Sequence, residues 1–237
     1  MTDDHRSRAA VKADAQCSID AACDALSRGT IDEPEWQRRV TTALARAYLG
    51  ESDPRWQSGF DGDPMLWREA REVILQAVRG DGTFLDVGCA NGHLIECLAE
   101  WGQERGRRLE LYGLELDPDL ARAARERLPA LADRIVTGSV SDWVPPHGFT
   151  YVRTGLEYVP PGRESALVAR LLSDVVEPGG RLIIGPVNES TLERTLDAVN
   201  AAGAVDMGVE RATDRNGKTR CVVWAASARR LDPNENR

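Results

Sequence analysis

The chain has 237 residues, 30 basic against 38 acidic, for a formal net charge of -8; a chain of this length buries a sufficient core without disulfides or a structural metal. Its 42% hydrophobic and 29% charged residues are the balance of a soluble protein, and no apolar run approaches the roughly 18 residues of a membrane helix. Five cysteines without a CxxC pair argue against a disulfide scaffold or a zinc site and fit a reducing cytoplasm, while the acidic balance disfavours a protein that grips nucleic acid.

Residues 1–12 are polar and unpatterned and read as a frayed tail, as do residues 229–237. The opening MTDDHRSRAA also lacks the apolar core of a secretory signal. Ile19, Ala22, Cys23 and Leu26 recur at helical spacing up to Gly29. Pro34 opens a second helix with Trp36, Val40, Ala43, Leu44, Ala47 and Tyr48 on one face and Gly50 beyond its end. The stretch from Glu51 to Asp63 mixes Pro54, Gly59 and Gly62 with Trp56 and Phe60, a loop richer in aromatic surface than a connector requires. Asp63 and Pro64 then start a third helix, whose face runs Leu66, Ala70, Val73, Ile74, Ala77 and Val78 to Gly80. A helical segment over 13–63 and a main domain over 64–228 follow from this division.

From Asp81 the pattern changes. Short apolar runs (TFLDV, LYGLEL, RIVTG, FTYV, RLIIG) alternate with helical stretches around 92–102, 118–128, 164–175 and 190–201. This is the signature of βαβ units feeding a parallel sheet. At the end, Val205–Ala212 and Thr219–Ala226 flank Asn216-Gly217, a hairpin turn signal. The expected fold is α/β: a Rossmann-like, mostly parallel sheet with helices on both faces and an antiparallel terminal hairpin.

The segment Phe84-Leu85-Asp86-Val87-Gly88-Cys89-Ala90-Asn91-Gly92-His93-Leu94 carries the chemistry. A buried strand enters a glycine-rich turn that opens a helix; the glycines admit a ligand close to the backbone, and the helix start offers free N–H groups. Glu115, at the tip of the second strand, is placed to accept both hydroxyls of a ribose. The dinucleotide pattern G-x-G-x-x-G fails at Ala90 and His93. A carboxylate at Asp86, just before the turn, suits a ligand with an ammonium or sulfonium end better than a pyrophosphate.

FLDVGCANGHL followed by LYGLELDPDLARAARERL resembles motif I and the following motif of the class I S-adenosylmethionine-dependent methyltransferases. The resemblance extends in element order over about residues 64–226. It implies a seven-stranded sheet with its last strand antiparallel, and S-adenosyl-L-methionine as cofactor. Asp86 and the backbone of Gly88, Cys89, Ala90, Asn91 and Gly92 would hold its methionine end; Glu115 would take the ribose and Leu116 would lie against the adenine. Ser139, Val140, Ser141 and Asp142 match the stretch that reads the adenine edge, with Ser139 in place of the usual acid. Arg153 and Thr154 would border the reactive methyl group. Ala90 replaces the middle glycine of the motif, a change that costs little at negative φ.

Methyl transfer from a sulfonium is an in-line displacement, so no residue type is obligatory on the acceptor side. Glu157 and Tyr158, in the loop after the fourth strand, are the candidates to meet the acceptor, against simple loop packing. Trp143 and His93 read as packing residues and His147 as exposed. The N-terminal helices with Trp56 and Phe60 either form a lid that shapes the acceptor site or pack as an appendage, which includes a homodimer contact. No Asn-Pro-Pro-aromatic signature of adenine or glutamine-amide methylation occurs. The reading is methyl transfer to oxygen or nitrogen of a small-molecule acceptor, with an RNA or protein acceptor, or a noncatalytic cofactor-binding role, as alternatives.

Overall fold

Three aspartates set the helix starts. Asp32, Asp63 and Asp117 precede helices that carry a proline in the first turn, and each carboxylate accepts backbone N–H groups left free there, at 2.9–3.0 Å. In the computed structural model, which describes residues 2–60 and 62–228, these are α2 (Glu33–Leu49), α3 (Pro64–Arg71) and α5 (Pro118–Arg127). Ahead of them, α1 spans Thr2–Ser27. The frayed start expected over residues 1–12 is therefore replaced by helix from Thr2 onward. Residues 2–12 contain neither proline nor glycine, so backbone propensity carries the helix where no apolar face exists. The expected tail at 229–237 lies outside the described residues.

The apolar face after Pro64 continues as expected but not as one α-helix. From Glu72 to Gln76 it tightens into 3-10 turns, burying Val73, Ile74 and Leu75 completely. The sheet then follows: β1 (Gly82–Val87), β2 (Leu109–Glu115), β3 (Ile135–Thr137), β4 (Phe149–Thr154), β5 (Val176–Asn188), β6 (Met207–Thr213) and β7 (Thr219–Ala226). Helix α4 (His93–Glu104) follows β1, α6 (Glu164–Arg170) follows β4, and α7 (Glu189–Ala201) follows β5. Val205, expected in the first hairpin strand, is 96% exposed and precedes it.

The strand order is β3-β2-β1-β4-β5-β7-β6. Strands β1 to β5 are parallel, and β7 runs antiparallel to both β5 and β6. Alternation along β1 divides two cores: Phe84 enters the one shared with α3 and α4, while Leu85 and Val87 enter the one shared with α6. Between β1 and β4 the strand order reverses, which opens a crevice at their carboxyl ends. Helix α2 packs on α1 through Trp36 and Val40 against Ala22, and the Trp36 indole N–H donates to Cys23 Sγ at 3.3 Å. Among the described residues no helix is long and apolar enough to cross a membrane.

Candidate active site

The crevice holds a cavity of about 490 Å³. Its floor is the turn after β1, with Asp86, Gly88, Cys89 and Ala90; one side is the end of β2, with Glu115 and Leu116. Val140, Arg153, Glu157 and Tyr158 also reach it. Part of the expected set therefore converges around one space, whereas Asn91 and Gly92 of the turn do not line it.

The turn is held by β2: the N–H groups of Gly88 and Cys89 donate to the Leu114 carbonyl at 2.8 and 3.2 Å. Gly88 has φ 71°, and the Tyr158 ring lies directly against its α-carbon, where any side chain would collide. Gly92, with φ 76°, begins α4 and packs on Ala124 and Leu128 of the α5 region. Ala90 departs from expectation. Its φ is 48°, in the left-handed region, so the condition of negative φ that made alanine harmless is not met. The turn needs this conformation to aim the Ala90 N–H at Glu115 Oε2, 2.8 Å away.

Glu115 is nearly buried, and its Oε1 accepts the Asp117 N–H at 2.9 Å. Burial raises its carboxyl pKa, and the two backbone donors work in the opposite direction. Each oxygen holds one such bond and retains a second lone pair. Asp86 is fully buried; its Oδ1 accepts from Arg153 Nη1 at 3.0 Å, while Arg153 Nε donates to the Gly185 carbonyl at 2.7 Å. Asp86 Oδ2 has no hydrogen-bond partner. Burial pushes the Asp86 carboxyl up and Arg153 pulls it back, whereas the surrounding phenols and carboxylates keep Arg153 charged against its own burial. An orphaned, buried carboxylate oxygen at a cavity floor is an unmet demand for a donor.

Other expected residues stand behind the wall. The Asn91 side chain is fully buried, donating to the Pro54 carbonyl at 3.0 Å and to Gln57 Oε1 at 2.9 Å and accepting from Ser58 Oγ at 2.8 Å; it anchors the 54–58 loop to the turn. Cys89 lines the cavity, yet it is 3% exposed and packed against Gly113, and burial drives its thiol pKa well up. Ser139, Ser141 and Asp142 do not line the cavity; Gly138 and Val140 from the same stretch do. Thr154 is buried, with its hydroxyl donating to the Gly155 carbonyl at 3.0 Å. Trp56 and Phe60 are also absent from the lining. Trp56 is buried under the Lys12 ammonium, and Phe60 meets Trp67 edge to face at 5.4 Å. His93 stacks on Trp67 at 5.0 Å, and burial lowers its pKa. Trp143 packs on Phe149 and His147 is exposed, as expected of both.

The roof comes from residues the motifs did not indicate. Trp36, Val40, Leu44 and Tyr48, from the α2 face read in the sequence, line the cavity with Gln37 and Thr41 beside them, joined by Trp67 and Arg71 of α3. The polar Gln37 and Thr41 gave no apolar signal in the sequence. Burial, and then the nearby Glu157 and Glu115 carboxylates, push the Tyr48 phenol up to about 12. Helix α2 is fastened at its N-terminal turns: Gln37 Nε2 donates to Ser139 Oγ at 3.1 Å, and Arg163 Nε donates to Glu33 Oε1 at 2.6 Å.

Comparison with known proteins agrees with this geometry. No family model matches the chain. Trans-aconitate 2-methyltransferase of Sinorhizobium medicae is 30% identical over 120 residues, which are 49% of this chain and 43% of that enzyme, so the chain spans less than half the length of that relative. Among solved structures, a methyltransferase from Pyrococcus furiosus aligns with TM-score 0.51 at 17% identity, covering 82% of this chain and 98% of its own. Phosphoethanolamine N-methyltransferase 2 of Haemonchus contortus, solved with S-adenosylhomocysteine, aligns with TM-score 0.51 at 15% identity over 81% of this chain and 58% of its own. The strand order, the antiparallel β7 and the glycine-rich turn after β1 give the chain the Rossmann-like fold seen in these methyltransferases.

Proposed function

We propose that this chain binds S-adenosyl-L-methionine and transfers its methyl group to an oxygen or nitrogen of a small-molecule acceptor. The observation that carries the reading is the meeting of three features around one cavity: the Gly88–Gly92 turn, the orphaned Oδ2 of Asp86 and the Glu115 carboxylate at the tip of β2. Asp86 Oδ2 lacks a donor, which the ammonium of the cofactor's methionine end provides. Glu115 has lone pairs for ribose hydroxyls. The small-molecule acceptor rests on the concave cavity of about 490 Å³, the acidic net charge of -8 and the likeness to trans-aconitate methyltransferases.

When bound, S-adenosylmethionine supplies an activated methyl on sulfur. The chain's own residues have the tasks of aligning the acceptor and excluding water. Helix α2 roofs the cavity and is the water-excluding lid. Tyr158 is held protonated at neutral pH, its pKa raised by burial and the Glu157 charge and only partly lowered by Arg153; Tyr48 is likewise protonated, at about 12. Both phenols are therefore hydrogen-bond donors that orient the acceptor rather than bases. Glu157, also at the cavity, accepts a proton from a hydroxyl or ammonium nucleophile.

Isothermal titration with S-adenosylmethionine, S-adenosylhomocysteine and NAD tests the reading. The first two are expected to bind and NAD is not; Glu115→Ala should weaken S-adenosylhomocysteine at least about tenfold through the lost charge-assisted hydrogen bonds. Binding of NAD alone would overturn it.

A further inference from the structure

One cationic side chain at the cavity makes neither an ion pair nor a hydrogen bond among the described residues. Arg71 leaves the last turn of α3 and lines the cavity. Its guanidinium lies over the Phe60 ring at 5.3 Å and over the Trp67 ring at 5.1 Å. Among the described residues, no carboxylate forms an ion pair with it and no acceptor a hydrogen bond. Its neighbour Arg68 has both Glu72 and Glu104. Arg153 has Asp86, and Arg215 has Asp63 and Glu69. Arg71 is thus set apart among the arginines around it.

The surroundings make this costlier. Burial, with Arg153 and Arg220 nearby, lowers the Arg71 pKa to about 10, a value at which it is still charged at neutral pH. Arg220 is itself incompletely satisfied: it donates to Asn188 Oδ1, while its buried Nε has no partner. The two rings are in contact edge to face, so the guanidinium packs beside both of them; making no hydrogen bond, it has N–H groups that match the two oxygens of a carboxylate. The Glu157 carboxylate at the same cavity acts on Arg71 but forms no ion pair with it, so the guanidinium remains open to an anionic ligand.

From this we propose that Arg71, backed by the charge of Arg220, is the carboxylate-binding residue of the cavity, and that the carboxylate belongs to the methyl acceptor. The inference rests on the methyltransferase reading above for the word acceptor, and it narrows that acceptor to small molecules bearing a carboxylate. The α-carboxylate of S-adenosylmethionine is the other source of the same chemistry.

The test uses the full-length chain and Arg71→Gln and Arg71→Lys. Each is titrated with S-adenosylhomocysteine, with decarboxylated S-adenosylmethionine, and, in saturating S-adenosylhomocysteine, with malonate, citrate, benzoate and trans-aconitate. The expected result is that wild type binds at least one of the four carboxylates, that its methyl ester binds at least tenfold more weakly, and that Arg71→Gln weakens the acid at least tenfold. Affinity for S-adenosylhomocysteine then changes less than threefold. Arg71→Lys, which keeps the charge but not the fork, should recover part of the loss. If Arg71→Gln instead weakens S-adenosylhomocysteine tenfold and leaves decarboxylated S-adenosylmethionine unchanged, the carboxylate site stands but its occupant is the cofactor. Should no carboxylate depend on position 71 and the cofactor titrations be equal, the proposal is overturned, even with the methyltransferase reading intact. Failure of wild type to bind any adenosyl compound overturns that reading; the carboxylate titrations, repeated without adenosyl ligand, then judge Arg71 alone. The acid and ester comparison on wild type needs no variant, so misfolding of Arg71→Gln leaves the proposal exposed to refutation.

Discussion

Ala90 sits at φ 48°, where an L side chain costs about 1–2 kcal/mol. Replacement by glycine removes that strain but adds about 0.4–1 kcal/mol of unfolded-chain entropy. Strain is the larger of the two, so Ala90→Gly should stabilise the protein by about 0.5–1 kcal/mol in urea unfolding. Equal or lower stability would mean that the turn is not left-handed at this position in solution. Asp53 offers a second measurement. Hydrogen bonds from Arg55, and then from backbone, hold its carboxyl at about 2 against the opposing effect of burial. A lowered folded-state pKa gives stability that is present above the unfolded value near 4 and lost as pH falls through about 2. With screening of this partly exposed pair, Asp53→Asn should cost about 1 kcal/mol at pH 6 and almost nothing at pH 2. A difference independent of pH would assign the effect to packing of the loop.

At the scale of elements, α2 is the part with the largest functional consequence. Its capping by Asp32 and its face toward α1 were legible from residue spacing. Its placement over the cavity was not, because the contacts that position it join distant segments, Gln37 to Ser139 and Glu33 to Arg163. Exposed polar contacts of this kind are worth about 0.5–1 kcal/mol each. The double variant Gln37→Ala with Glu33→Ala should therefore speed amide exchange in α2 by about fivefold to thirtyfold while leaving exchange in β1 and β4 unchanged. Uniform acceleration across the sheet would indicate global destabilisation instead of a loosened roof. Asn91 teaches the same lesson from the other side. It falls within the glycine-rich turn, yet its side chain is consumed by the 54–58 loop, a partner that the motif does not reveal.

For the whole molecule, the cavity is built from segments far apart in the chain: α2, α3, the turn after β1, the tip of β2 and the loop after β4. A ligand that bridges them binds the folded state alone, so it must stabilise all of them together. S-adenosylhomocysteine at one hundred times its dissociation constant should add about 2.7 kcal/mol, or roughly 5–10 °C in melting temperature for a domain of this size. Binding without a thermal shift would mean that the ligand does not prefer the folded state, as a ligand of this cavity must.

The order of strands and helices, the terminal hairpin at Asn216-Gly217, the turn after β1 and the carboxylates Asp86 and Glu115 were determined by the sequence itself, since each is written in local periodicity, turn chemistry or a strand-to-helix junction. What covers the cavity was decided by tertiary structure: Tyr48 and Arg71 line it, while Trp56, Phe60 and Asn91 stand behind it. The physical reason is that local chain geometry fixes which way a turn or strand end points. The relative placement of separate elements depends instead on packing and polar contacts between residues as far apart as Gln37 and Ser139, and no local pattern encodes that distance.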